Sequence, residues 1–265
     1  MAGAGARSRE VIGLIPAGGV GERLSPLPCS KEIYPIGFRV CQVEFEKRPK
    51  VACHYLLEKM RLAGIGRVYI IIRKGKWDIP SYLGDGKIAD MHLAYLMMDA
   101  PYGPPYTLDQ AFPFVKDDLV AFGFPDILFE GENAFGKLLS HQNKSDADVV
   151  LGLFPADRPE KVDMVDIEPN CRVRAIVIQP YDTQLRYSWD IAVWTPVFTE
   201  FLHLYLATQN PPAMSQPELS VGMTIQAAIR EGLRVEGLPV SDEPCLDIGT
   251  PEGLARAMAR FASVV

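Results

Sequence analysis

The sequence has no long apolar run, no surplus of basic charge and no cysteine pair at ligand spacing, and each absence removes a class of protein. A helix that crosses a bilayer needs about twenty consecutive apolar residues, and no stretch here reaches that length. Nucleic-acid backbones are held by clustered lysine and arginine. Here 27 Lys and Arg stand against 33 Asp and Glu, a formal net charge of −6, which argues against DNA or RNA as a partner. It leaves room for a small phosphate ligand, which needs only a few local donors. The cysteines (Cys29, Cys41, Cys53, Cys171, Cys245) are scattered, with no C-x-x-C and no histidine at metal-like spacing. Free thiols in a reducing compartment fit that pattern better than zinc or disulfides. Low-complexity tracts and internal repeats are missing as well. The first apolar stretch is only about seven residues long, the lower limit for a secretory signal core. It runs straight into a glycine turn, so a first strand and a cytoplasmic location are expected.

What is present is an alternation of short apolar runs with helical patterns. Val11–Ile15, Val68–Ile72, Leu93–Met97, Leu119–Phe122 and Val149–Phe154 have strand length and mostly branched side chains. They are continuous rather than alternating, as strands buried on both faces read. Between them, "KVACHYLLEKMRLAGI" carries apolar residues at helical spacing and ends at Gly64, a natural C-cap; "AFGKLLSHQN", "PVFTEFLHLYLATQ" and "MTIQAAIREG" read the same way. In "CLDIGTPEGLARAMARFA", Thr250 is placed to cap a helix whose first residue is Pro251. The pattern predicts a Rossmann-like α/β fold: three layers, α/β/α, around a mostly parallel sheet, in a single domain over residues 1–265. Met164 to Thr195 holds three strand-like runs without a helix, which implies a small β-rich insertion or a mixed part of the sheet. The proline-rich stretches Tyr102–Tyr106 and Pro211–Pro217 read as surface loops or lids.

The densest signal is "IPAGGVGERLSP", Ile15 to Pro26. Glycines directly after a strand can turn several backbone N–H groups toward one anion. The dinucleotide fingerprint G-x-G-x-x-G fails because Leu24 stands where its third glycine belongs, which weakens an NAD-dependent oxidoreductase. The ATP-binding P-loop fails because no G-K-[ST] tripeptide follows. A tight strand-to-helix turn with no ligand is the remaining plain alternative.

The stretch does not stand alone. "AGGVGERLSPLPCSKEIYPIG" resembles, nearly position by position, the signature loop of the sugar-phosphate nucleotidylyltransferases, nearest to the glucose-1-phosphate thymidylyltransferase branch. That loop reads A-G-G-x-G-x-R-L-x-P, here Ala17 to Pro26, then a lysine and a nearby proline, here Lys31 and Pro35. "LAGIGRVYIII", "LGDG" at Leu83–Gly86, "FPDILFEG" around Asp126 and "LDIGTPEGL" at Leu246–Leu254 follow in family order. The resemblance implies transfer of a nucleoside monophosphate from an NTP to a sugar 1-phosphate or related phosphorylated acceptor, with release of pyrophosphate. It implies that the loop Ala17, Gly18, Gly19, Gly21 and Glu22 binds nucleotide, that Arg23 lies on the departing phosphates, and that Lys31 lies near the α-phosphate. It also implies Mg²⁺ on Asp126 and Asp247, and a homo-oligomer as one possible assembly. The plain alternatives are a solvated helix-start residue for Arg23, a cap or turn residue for Asp126, and an Asx-type turn for Asp247.

The departures from the resemblance cluster at the base and acceptor. Met98 and Thr107 fall where relatives carry a base-reading glutamine and a glycine, leaving base preference open, with Asp99 or Thr107 as substitutes. On the acceptor side Asp163 and Asp190 replace glycines, and Gln179 falls near a lost phosphate-binding lysine, which Arg174, Arg186 or Lys161 can replace. Asp163 and Asp190 suit a polyol or an ammonium group, or are solvated surface carboxylates. An active nucleotidylyltransferase with an unusual acceptor is the first expectation, and a catalytically impaired nucleotide-binding regulatory subunit the second.

Overall fold

The computed structural model describes residues 9–40, 46–99, 102–209 and 218–261. The chain begins with β1 (Val11–Pro16), the hairpin strands β2 (Pro35–Val40) and β3 (Lys47–Val51), and helix α1 (Ala52–Leu62). Next come β4 (Arg67–Arg73), α2 (Asp78–Leu83), β5 (His92–Met98), α3 (Pro104–Asp109), α4 (Phe112–Val115), β6 (Leu119–Gly123) and β7 (Ile127–Leu128). The second half holds α5 (Ala134–Gln142), β8 (Val149–Pro155), β9 (Met164–Ile167), β10 (Val173–Val177), β11 (Tyr187–Trp194) and α6 (Pro196–Thr208). It closes with α7 (Val221–Arg230), β12 (Val235–Pro239), β13 (Leu246–Asp247) and α8 (Pro251–Phe261).

One mixed sheet of 9 strands forms the middle layer, with β1, β4, β5 and β6 parallel and β11 antiparallel to both β6 and β8. Side chains of neighbouring residues leave a strand on opposite faces, and the core divides accordingly. Ile70 and Ile72 pack with Leu56, Leu57 and Phe135 of α1 and α5, whereas Ile71 packs with Phe198 and Ile225 of α6 and α7. Both faces are covered, which is why the strand runs carry no polar alternation. The expected α/β/α architecture is observed. Of the β-rich segment, β9 and β10 extend the main sheet at its edge, whereas β11 lies inside it between β6 and β8.

Local signals act as read. Gly64, at φ 81°, follows α1, and the Gly64 and Ile65 N–H groups donate to Arg61 and Met60 carbonyls, a Schellman closure that only a residue tolerant of positive φ allows. The Thr250 hydroxyl accepts from the Gly253 N–H at 3.1 Å, capping α8 behind Pro251. Two readings change. The β2–β3 hairpin occupies part of what reads as loop and helix start, so α1 begins at Ala52 rather than Lys50. Tyr102–Tyr106 is half helix: Pro104 sits in the first turn of α3, where its fixed φ and missing N–H are no handicap. Pro211–Pro217 lies outside the described residues, as does Cys41.

β1 lies between β4 and β6, and the chain crosses from it to either side. This is a topological switch point, where an open α/β sheet leaves a crevice beyond its strand ends. A third apolar cluster, with Ile36, Leu128, Leu246, Ile248 and Phe261, fastens α8 and the short β7–β13 ladder beside that crevice.

Candidate active site

The crevice is a cleft of about 920 Å³, within the range of small-molecule sites. Gly18, Gly19, Gly21, Glu22 and Arg23 line one wall, following β1. Gly21 adopts φ 72°, which lets the loop double back into the turn at Glu22–Leu24. A Cβ on Gly18 would stand 2.8 Å from Met98 Sδ, so the loop backbone rests directly on the core. Ala17 is different: it is buried, and its N–H donates to the Ile71 carbonyl at 2.8 Å, so this amide belongs to the sheet and does not face the cleft.

Asp126 and Asp247 are brought together by the β7–β13 ladder, in which Asp247 pairs with Ile127 and the Ile248 N–H donates to the Asp126 carbonyl at 3.0 Å. Asp247 Oδ1 and Asp126 Oδ2 lie 2.8 and 3.5 Å from the point a Cβ would occupy on Gly249. Asp247 does make an Asx turn, its Oδ1 accepting from the Gly249 N–H at 2.6 Å, while its Oδ2 stands 3.4 Å from Arg23 Nη2. Lys31 Nζ donates to Asp126 Oδ2 in a close, largely buried ion pair.

The electrostatics follow from this crowding. Burial works against the Lys31 ammonium, but Asp126 outweighs it and holds the lysine pKa above its ordinary value. Burial likewise opposes the Asp126 carboxylate, and Lys31 overcomes it, leaving Asp126 below the ordinary range. Asp247 is raised by burial and then by the Asp126 charge, with its Gly249 hydrogen bond and Arg23 pulling the other way. Beneath Lys31, Glu32 is 2% exposed and accepts from Lys76 Nζ at 2.5 Å, while its Oε2 has no partner among the described residues. This buried pair anchors the short turn that carries Lys31. Sequence reasoning passed over both residues, although an acid directly after Lys31 in "KEIYP" is visible.

Gly103, Pro104 and Thr107 line the cleft beside the glycine loop. Thr107 is 3% exposed, and its hydroxyl faces Met98 Sδ at 3.2 Å and the Gly103 carbonyl at 3.3 Å. Met98, 5% exposed, is floor beneath Gly18 and not a lining group, and Asp99 also lies off the wall.

The opposite half of the cleft is lined by Asp163, Gln179, Trp189 and Asp190, with Ser220 and Gly222 at the start of α7. All three sequence-predicted acceptor residues therefore meet here. Asp163 is pushed up to about 6 by burial, with the Ser220 hydroxyl, 3.4 Å from its Oδ2, opposing the shift. Asp190 is pushed up to about 7 by burial, the nearby carboxylates Asp247, Asp163 and Asp126 adding to it and the Cys245 thiol subtracting. Gln179 holds φ 42°, an unusual backbone state for a residue with a Cβ. Of the candidate replacement cations, Lys161 lines the cleft, whereas Arg174 is paired with Asp166 at 2.8 Å away from it and Arg186 is also outside. Two further cations at the rim were not legible: Arg158 grips Glu252 with both terminal guanidinium nitrogens, and Arg256 meets Asp157 at 2.8 Å. These pairs join residues 94 and 99 positions apart.

Among the described residues, no group of three or more His, Cys, Asp or Glu is arranged to hold a metal. Two converging carboxylates nevertheless suit Mg²⁺, which takes few protein oxygens and completes its octahedron with phosphate and water. Burial first and the Asp126 charge second raise Asp247, and a divalent cation between the two carboxylates would offset both.

A glycine loop, two cations and two carboxylates around the switch point of a parallel sheet define a nucleotide-handling α/β protein. The chain belongs to the nucleotidyl transferase family, whose model matches residues 12–263. It is 23% identical over 250 residues to the low-salt glycan biosynthesis nucleotidyltransferase Agl11 of Haloferax volcanii, spanning 92% of this chain and 64% of that protein. Among solved structures it is similar to a Bacillus anthracis protein described as a glucose-1-phosphate thymidylyltransferase, in complex with sucrose (TM-score 0.79, 21% identity, 96% of each chain). It is also similar to a UDP-glucose pyrophosphorylase complexed with UDP-glucose (TM-score 0.76, 16% identity, 95% of this chain and 98% of that one). A third is a UTP-bound UGPase from Acinetobacter baumannii (TM-score 0.72, 18% identity, 95% and 93%). At these identities the structural likeness speaks for the fold. No helix among the described residues is long and apolar enough to cross a membrane.

Proposed function

We propose that the chain transfers a nucleoside monophosphate from an NTP to a phosphorylated small molecule, with a sugar 1-phosphate or a close analogue as acceptor. The observation that carries this reading is the meeting of the Gly18–Gly21 loop, Arg23, Lys31, Asp126 and Asp247 in one cleft. The substrates named for the family's structural neighbours support the acceptor class.

A phosphate oxygen of the acceptor attacks the α-phosphorus of the NTP. The bond from that phosphorus to the bridging α–β oxygen breaks, and pyrophosphate leaves with the electron pair. The protein supplies no covalent nucleophile; it aligns two polyanions and offsets their repulsion. The N–H groups of Gly18, Gly19 and Gly21 and the Arg23 guanidinium are the donors for the phosphates that depart. Lys31 is the point charge for the α-phosphate, where negative charge builds. Asp126 and Asp247 would hold Mg²⁺, which when bound neutralises phosphate charge and fixes phosphate orientation. Lys31 and Arg23 rest on these two carboxylates, so each cation is stored beside the acid from which a phosphate would draw it.

The test is to incubate the protein with each NTP, Mg²⁺ and a panel of phosphorylated acceptors, and to measure pyrophosphate. Release that requires an acceptor supports the assignment. Tight NTP binding without pyrophosphate from any acceptor would replace it with the regulatory-subunit reading, which the altered acceptor wall favours.

A further inference from the structure

The two halves of the cleft are built from different electrostatic material. On the nucleotide side the two converging aspartates each have a cation: Asp126 has Lys31 and Asp247 has Arg23. On the acceptor side Asp163 and Asp190 are paired with no lysine or arginine among the described residues. Asp163 has the Ser220 hydroxyl at 3.4 Å, and Asp190 has the Cys245 thiol beside it. The cations of this wall are not paired with them: Arg158 is engaged by Glu252, Arg256 by Asp157, and Lys161, which lines the cleft, forms no ion pair with either aspartate.

Asp190 faces the cleft because of a backbone irregularity. In the β11–β8 ladder Trp189 pairs with Leu153 and Ile191 with Gly152, so Asp190 is an extra residue opposite no partner. A bulge of this kind re-aims a side chain that the strand's alternation would send elsewhere. It puts Trp189 and Asp190, neighbours in sequence, on the same wall. Trp189 is 4% exposed and its indole Nε1 has no hydrogen-bond partner among the described residues. Asp163 is seated as deliberately: its Oδ2 stands 2.1 Å from where a Cβ of Gly222 would be, so any larger residue there would displace the carboxylate. Phe124 completes an aromatic edge to this wall.

Two carboxylates without a cation, beside aromatic surface, form a seat for a positive group, and the unpaired indole N–H adds a donor for an acceptor oxygen. We propose that the acceptor is a phosphate monoester bearing a free ammonium group, seated by Asp190 and Asp163 with Trp189 and Phe124 in the wall. This rests on the nucleotidyl-transfer reading for its phosphate but not for its ammonium.

Matched pairs separate the two. Glucosamine 1-phosphate is compared with N-acetylglucosamine 1-phosphate and glucose 1-phosphate, and phosphoethanolamine with ethyl phosphate. Binding to the full chain is measured by calorimetry with Mg²⁺ and a non-transferable NTP analogue, and pyrophosphate release is measured with the NTP itself. The charged member of at least one pair should bind about tenfold tighter or more than its neutral counterpart, and Asp190→Asn should remove that preference while leaving NTP-analogue affinity unchanged. Equal or tighter binding of the neutral counterparts in every pair overturns the ammonium seat, as does a preference that survives in both Asp190→Asn and Asp163→Asn. A charged-member preference in binding with no pyrophosphate from any compound keeps the seat and overturns the transfer reading.

Discussion

Lys31 and Asp126, 95 residues apart, form a close ion pair whose side chains are only 15% and 12% exposed. A buried pair gains little over apolar isosteres, yet losing one member strands a charge and costs about 3–5 kcal/mol. Lys31→Met should therefore lower unfolding stability by roughly that amount, and adding Asp126→Asn should restore most of it. Activity should not return: both variants are expected to fall by about two to three orders of magnitude in kcat. Urea titration and pyrophosphate release check the two arms. Recovery of transfer in the double variant would mean that neither residue acts on phosphate.

Arg23 gives the opposite profile. Its side chain is 65% exposed and its contact with Asp247 is 3.4 Å long, so the pair contributes less than about 1 kcal/mol to the fold. Arg23→Ala should leave the melting temperature nearly unchanged while slowing transfer by about 10²–10³-fold, more than it weakens acceptor binding. A large loss of stability, or equal effects on kcat and acceptor affinity, would count against its assignment to the departing phosphates.

Gly253 lies in the first turn of α8, where a Cβ would stand 1.8 Å from the Asp247 carbonyl oxygen. That neighbour is backbone and has nowhere to retreat without moving the carboxylate. Gly253→Ala is expected to destabilise the chain by about 2–4 kcal/mol and to depress Mg²⁺-dependent activity even at temperatures where the variant is folded. Circular dichroism with a Mg²⁺ titration of the rate distinguishes this from simple unfolding. A variant with normal Mg²⁺ response would sever α8 from the metal assignment.

The acid on the acceptor wall sets a pH dependence. Burial pushes Asp163 up to about 6, while an unfolded aspartate titrates near 3.9. The folded chain thus binds more protons than the unfolded chain between about pH 4 and 6, so this group subtracts stability as pH rises through that window, and the full penalty then stays constant above it. Asp163→Asn should stabilise the protein at about pH 8 by on the order of 1–3 kcal/mol, with the gain vanishing near pH 4. Denaturation at both pH values measures it; a gain that is the same at both would show that the carboxyl is not shifted.

The sheet and the nucleotide wall were legible because their causes are local. Branched runs such as Val68–Ile72 are fit for a strand buried on both faces, and Gly64, Thr250 and Pro251 each act within one helical turn of themselves. The glycine loop, Arg23, Lys31, Asp126 and Asp247 were legible from resemblance, and they do line one cleft. What escaped depends on partners far along the chain. The β3 strand "KRPKV" is exposed and charged, with no apolar alternation to announce it. Met98 falls where relatives carry a base-reading glutamine yet lies under the loop, its Sδ occupying the space beside Gly18 that a Cβ would need. The unpaired state of Asp163 and Asp190 depends on which distant arginines are already engaged, and no spacing in the sequence records that.

Strand β11 touches β6 along one stretch and β9 along another, while its middle carries the extra residue opposite β8. One strand therefore ties the central strands beside the glycine loop to the small strand that follows Asp163, and its extra residue turns into the cleft that both share. Under the proposed assignment, a substitution near β9 or at the start of α7 alters the Asp163 side of that cleft and leaves the glycine loop, Lys31 and Asp126 where they are. A change of acceptor would then need no change in the strands that carry the phosphate-side residues.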